Sequence, residues 1–205
     1  MKVFLHGLGQ APSAWKPVLE ALGDEAVLCP DLAGLMAGRE MAYAPLYRAL
    51  CDVLDAQQGE LDLCGLSLGA VLAMHYAIEH PKRVRRLALI APQVKPPRAA
   101  LALQGVVFRL MPERAFAQTG LGKRDCIRLC GTMARLDFTD RLSEMICKTL
   151  VICGERDRVN RSAARRAAAG IRDAALHLLP GAGHEVNREA PQALAALLIA
   201  FWGES

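Results

Sequence analysis

The 205-residue chain is long enough for one domain with a full core, and 53% of it is hydrophobic. No apolar run approaches the roughly 20 residues of a membrane span, and the apolar start Lys2-Val3-Phe4-Leu5 breaks at Gly7, too soon for the core of a signal peptide. The formal charge of +4 is too small by itself to mark a nucleic-acid binder, so the expectation is a cytoplasmic chain that engages neither nucleic acid nor membrane. Seven cysteines include no CxxC pair, and an odd number cannot all pair within one chain. Cys29, Cys64 and Cys153 sit in apolar runs, where buried free thiols are expected. Cys126 and Cys130 stand one helical turn apart without His or acid partners at ligand spacing, so no metal site is expected.

Short apolar runs alternate with helical patterns along the chain. Lys2–His6 reads as a first strand, and Ser13 is placed to cap a helix that runs to about Leu22. Ala26–Cys29 is a second strand, stopped by Pro30. A helix follows with Pro45 in its first turn and Leu46, Ala49, Leu50, Val53 and Leu54 on one face. Leu61–Cys64 is a third strand, and Ser67–His80 a helix ended by Pro81. Arg86–Ala91, Thr149–Cys153 and Ala175–Leu179 complete the strands, and a last helix spans about Pro191–Phe201. Runs this apolar on both faces suit a parallel sheet covered on each side. The alternation with helices predicts an α/β fold, a doubly wound and mostly parallel sheet of about six strands.

One stretch breaks the rhythm. Between Ala91 and Lys148 there is no convincing strand, only amphipathic patterns around Leu101–Met111, Arg124–Leu136 and Phe138–Ile146. The expected organisation is a core of residues 1–91 and 148–205 with a helical cap of residues 92–147 inserted over one end of the sheet. The cap holds nine Lys and Arg against five acids, the whole net charge of the chain. That excess reads as a solvated surface, or as attraction for an acidic substrate or partner.

The strongest chemical signal is Cys64-Gly65-Leu66-Ser67-Leu68-Gly69, a G-x-S-x-G between an apolar strand and an apolar helix. Such a turn exposes the serine hydroxyl at the head of the helix, with small neighbours leaving room for it. A serine hydroxyl is a weak nucleophile at neutral pH and needs a base, which in turn needs an orienting acid. Asp157 follows the strand ending at Gly154, and His184 lies in the Gly-rich loop after the next strand. Ser67, Asp157 and His184 therefore stand in the order Ser…Asp…His.

His6-Gly7-Leu8-Gly9, Pro30-Asp31-Leu32-Ala33-Gly34, the serine turn, Gly154-Glu155-Arg156-Asp157 and Gly183-His184 together resemble the α/β-hydrolase superfamily. Only the cap is unmatched. Within that superfamily the chain resembles small microbial carboxylesterases and relatives that cleave a methyl ester on an acyl-carrier-protein substrate. The resemblance implies an oxyanion hole made by the backbone N–H groups of Leu8 and Leu68. It implies a carboxylic ester as substrate, with an acidic carrier protein as one candidate partner, and neither metal nor cofactor. The chain departs from the superfamily in starting on the strand that carries His-Gly, so the first two strands are missing. It also lacks Pro-Gly-x-Gly at Asp31–Leu35.

Rival residues are few. His6 reads as a brace for the oxyanion loop, and His75, His80 and His177 as structural histidines. Glu155 competes with Asp157 for the acid role, and the superfamily pattern favours Asp157. The loop after the fourth strand, Pro92-Gln93, holds no acid. Leu101, Leu103, Val106, Val107, Phe108, Leu110 and Met111 line an acyl tunnel or form the cap's own core; Leu8, Phe108 and Met111 are the substrate-contact candidates. Other functions open to the same three residues are cleavage of a carbon–carbon bond or a lactone and a lyase reaction of menaquinone synthesis. A low-turnover ligand receptor would keep the fold alone.

Overall fold

The computed structural model of the chain describes residues 1–23, 26–116 and 120–203, without the side chains of 99, 100, 103, 104 and 115. Its single sheet contains β1 (Lys2–Leu5), β2 (Val27–Leu28), β3 (Leu61–Leu66), β4 (Val84–Ile90), β5 (Lys148–Gly154) and β6 (Ala174–Leu179). All neighbours are parallel, in the order β2-β1-β3-β4-β5-β6. The helices are α1 (Lys16–Leu22), α2 (Tyr43–Asp55), α3 (Leu68–Glu79), α4 (Arg98–Leu110), α5 (Lys123–Met133), α6 (Arg161–Gly170), α7 (Val186–Glu189) and α8 (Pro191–Gly203). This is the doubly wound α/β class that the sequence predicts.

The two-residue period of each strand divides its side chains between two cores. Val3, Leu5, Leu61, Leu63, Leu87 and Leu89 face α2, α3 and α6. Phe4, Cys64, Leu66, Ala88 and Ile90 face α1 and α8, where Trp15 and Trp202 pack on Phe4 at 5.1 and 5.6 Å between ring centroids. Helix α3 is buried almost all round, from Leu68 through Ala73 and Met74 to Ile78, which is why its sequence lacks a polar face.

The strand order reverses between β1 and β3. In a parallel sheet the crevice for a ligand opens at the carboxyl ends of the strands flanking such a reversal. Leu8 follows β1 there and Ser67 follows β3.

Between β4 and β5 the described residues form helices and turns without a strand. The amphipathic run over 101–111 is α4, and that over 124–136 is α5. The run over 138–146 is a 3-10 helix, Thr139–Glu144. Much of this segment belongs to the main core: Leu129, Met133, Phe138, Leu142 and Met145 are all buried with the residues of α2 and α3. The Phe138 N–H also donates to the Val94 carbonyl at 3.0 Å.

Some local expectations change. Ser13 lies inside a short 3-10 helix, Pro12–Trp15, that precedes α1, and its side chain does not cap it. Helix α6 has no counterpart among the predicted elements. Its buried residues are Ala163, Ala164 and Ala167, too small to produce an apolar stripe in the sequence.

Candidate active site

Ser67 has φ 53 and ψ −110 between β3 and α3. A non-glycine residue held at positive φ stores roughly 1–3 kcal/mol of strain and persists only where its surroundings fix it. Here the Ser67 N–H donates to the Ile90 carbonyl at 2.9 Å. Two close approaches complete the turn. A Cβ on Gly65 would lie 2.3 Å from the Gly69 carbonyl oxygen, and one on Gly69 would lie 2.1 Å from that of Leu5. The glycines flanking the serine are thus required by backbone contact, which brings α3 down onto β1 and β3.

Asp157 and His184 come together from the loops after β5 and β6. His184 Nδ1 is 2.7 Å from Asp157 Oδ2; a carboxylate only accepts, so Nδ1 carries the proton. Asp157 is buried and half of the His184 side chain is exposed. Burial alone would raise the Asp157 carboxyl, but the hydrogen bonds from His184 and Asn160 outweigh it and hold the group below its usual value. Glu155, the rival acid, is exposed and accepts from the Gly181 N–H at 3.2 Å. A Cβ on Gly154 would lie 2.0 Å from the Gly183 carbonyl oxygen, so the histidine loop rests on the end of β5.

Ser67 and His184 line one cavity of about 170 Å³, together with Leu8, Leu68, Val71, Gln93, Pro96, Pro97, Leu101, Cys130, Met133, Val159 and Asn160. Leu68 is the first residue of α3, where helix geometry leaves the N–H without an intrahelical partner. Leu8 lies in the turn closed by the Gln10 N–H to Gly7 carbonyl bond of 3.1 Å. Both candidate oxyanion residues thus border the cavity that holds Ser67.

The two substrate-contact candidates in the cap lie elsewhere. Phe108 packs edge-on against Phe116 at 5.5 Å, within the helical segment itself. Met111 ends α4, and its carbonyl accepts from Lys123 Nζ at 2.7 Å. From the apolar set on this helix Leu101 reaches the cavity, while Val106, Val107 and Leu110 are exposed; the Leu103 side chain lies outside the described residues. Leu101 and Phe108, seven residues apart, share one face, so Phe108 misses the cavity by lying about two turns, roughly 10 Å, further along the helix. The adjoining face, with Val106, Val107 and Leu110, turns to solvent.

Sequence reasoning did not single out Gln93, Asn160 or Cys130 as cavity residues. Cys130 had a signal, the inner face of an amphipathic helix, but burial pushes its thiol up to about 11, far from a reactive thiolate. Three other histidines, His6, His75 and His80, are engaged. His6 donates from Nδ1 to the Gly7 carbonyl at 3.0 Å and accepts the Leu32 N–H on Nε2 at 3.2 Å, tying the loops after β1 and β2 together. Asp31 accepts the Ala33 N–H at 3.1 Å in a local turn. His75 stacks on Tyr47 and meets Glu79, and His80 stacks on Tyr76.

Residues 3–197 match the model of the alpha/beta hydrolase family, and the chain belongs to that family. A pimeloyl-[acyl-carrier protein] methyl ester esterase of Nitrosomonas europaea is 34% identical over 90 residues, 43% of this chain and 36% of the relative. That alignment spans about a third of the esterase's length. A 2-hydroxy-6-oxononadienedioate/2-hydroxy-6-oxononatrienedioate hydrolase of Pseudomonas putida is 26% identical over 249 residues, 97% of this chain and 86% of the relative. Among solved structures, the enol-lactonase from Burkholderia xenovorans LB400 superposes with a TM-score of 0.83 at 21% identity, covering 99% of this chain and 91% of that one. At that identity the likeness shows the fold. No helix among the described residues is long and apolar enough to cross a membrane.

Proposed function

We propose that this hydrolase cleaves a small carboxylic ester through an acyl-enzyme, with Ser67 as nucleophile, His184 as general base and Asp157 as the acid that orients it. The observation that carries the reading is the 2.7 Å Asp157–His184 bond at the cavity into which strained Ser67 opens. Ser67 Oγ attacks the carbonyl carbon while His184 Nε2 takes its proton. Charge developing on the carbonyl oxygen is stabilised by the N–H groups of Leu8 and Leu68, each worth roughly 2.7–4 kcal/mol in comparable sites. His184 then returns the proton to the leaving alcohol. Water, activated by the same imidazole, releases the acid and restores Ser67. Asp157 holds the Nδ1–H tautomer throughout.

The mostly apolar cavity supports an uncharged, compact acyl group. The resemblance to methyl ester esterases favours a small alcohol as leaving group. A cytoplasmic setting belongs to the same reading and is supported by free thiols at all seven cysteines. A second reaction on the same residues, cleavage of an activated carbon–carbon bond, draws support from the relative in Pseudomonas putida that covers most of the chain.

The test is hydrolysis of p-nitrophenyl esters by the wild type and by Ser67→Ala. The substitution is expected to lower kcat by about a millionfold if the three residues act as a unit. Turnover near the wild-type rate in the variant would remove Ser67 from the reaction.

A further inference from the structure

The loop leaving β4 contributes an amide to the cavity that the mechanism above does not use. Gln93 Nε2 donates to Oδ1 of Asn160. Asn160 is buried, and its donors go to Asp157: Nδ2 lies 2.9 Å from Oδ1 and 2.7 Å from Oδ2, and the backbone N–H lies 3.1 Å from Oδ1. The same Nδ2 lies 3.1 Å from His184 Nδ1, so the amide packs beside the Asp157–His184 bond.

These contacts fix the direction of both amides. An ionised carboxylate accepts and does not donate, so Asn160 must turn its NH2 end toward Asp157. Its oxygen then faces away and needs a donor, which is the NH2 end of Gln93. The far end of the chain is left short. Gln93 Oε1 is buried and has no hydrogen-bond partner among the described residues, although a buried acceptor ordinarily finds one. Ala91, two residues upstream, is held at φ 50 without being a glycine. An unsatisfied oxygen and a strained backbone, both in one short loop, are what remains when the loop is committed to delivering one N–H to Asn160.

We propose that Asn160 and Gln93 are positioning residues, two neutral amides in series that fix the Asp157 carboxylate and the imidazole it meets. The inference rests on the roles proposed above for Asp157 and His184. It makes neutrality at position 93 a requirement. An ionised acid there would face the Asn160 oxygen with negative charge, drive that amide to rotate and turn its oxygen on Asp157. A protonated acid would instead donate as glutamine does. Asp157 and His184 are the titratable groups in contact with the pair, and Cys130 lines the same cavity from α5. Lys95 is paired with Asp137 at 2.6 Å, and the cations Arg158 and Arg161 flank Asn160 in sequence.

The experiment compares Gln93→Glu, Gln93→Met and wild type. It reads the pH profile of kcat/KM on p-nitrophenyl acetate and the low-field proton resonance of His184 Nδ1–H. In Gln93→Glu, activity should fall by about tenfold or more on the alkaline side, where wild type stays flat, as the new acid ionises. The Nδ1–H resonance should move over the same pH range. Gln93→Met should lower kcat by about tenfold at every pH with KM kept, because it removes the donor without adding a charge. A Gln93→Glu profile parallel to wild type with an unmoved resonance overturns the proposal. If Gln93→Glu does not fold, an unchanged kcat in Gln93→Met overturns it. Failure of the ester-hydrolase reading is separate: wild type would then neither turn over the ester nor label at Ser67 with a fluorophosphonate. The resonance in Gln93→Glu alone would then decide the relay.

Discussion

Glu155 accepts a hydrogen bond from the backbone N–H of Gly181 at 3.2 Å, so the acid that rivals Asp157 in the sequence anchors the loop that carries the histidine. The two acids thus divide the work, one holding the loop and the other holding the ring. Asp157→Asn should lower kcat by about ten-thousandfold, because an amide at that place favours the wrong imidazole tautomer. Glu155→Gln should cost less than about tenfold, since an amide oxygen still accepts from Gly181. Steady-state kinetics of both variants on one p-nitrophenyl ester distinguish them. Equal losses would contradict the division.

The serine turn makes a stability prediction. Gly69→Ala places a methyl group 2.1 Å from the Leu5 carbonyl oxygen, a backbone atom that cannot swing aside. Denaturant unfolding should show a loss of at least about 3 kcal/mol, and a loss under about 1 kcal/mol would mean that α3 can retreat from β1.

Buried His6 and half-buried His75 should shape the acid side of the stability profile. Burial lowers His6 and His75, against the raising effect of the Gly7 bond on the first and of Glu79 on the second. A histidine whose folded-state value is depressed is harder to protonate folded than unfolded. Its contribution is therefore full above the unfolded value of about 6.5 and is lost as pH falls through and below it. Tm should decline from about pH 7 to about pH 5, and His75→Gln should flatten part of that decline. An identical slope in the variant would exclude His75 as a source.

Cavity size sets the expected substrate profile. About 170 Å³ between Ser67, Leu101, Met133 and Val159 suits short acyl chains. Turnover of p-nitrophenyl acetate and butyrate should exceed that of the octanoate, and Leu101→Ala should narrow the difference by removing a wall residue. A preference for long chains in wild type would show that α4 does not wall the acyl site as it stands.

Much of this molecule is legible in its sequence because apolar runs and close-packed glycines leave direct marks. The strands are legible as short apolar runs, and Gly65, Ser67 and Gly69 as a pattern that only a tight strand-to-helix turn needs. Helix α6 left no such mark, since alanines against the sheet bury little side chain. Phe108 and Met111 are the sequence's candidates for the cavity wall, and the structure brings Leu101 there instead, about two turns nearer the start of α4. Asn160 and Gln93 were invisible for a different reason. Gln93 and Asn160 meet each other from two different loops, 67 residues apart in the chain, and a polar loop residue carries no period that would announce a contact across the sheet.

Gly154 has consequences beyond its own position. The Gly183 carbonyl occupies the space where a side chain on Gly154 would begin, so the platform under the imidazole is the same piece of backbone that launches the carboxylate. A methyl group at position 154 would have to push the histidine loop away from the strand that carries the acid, and so would lengthen the contact that orients the imidazole.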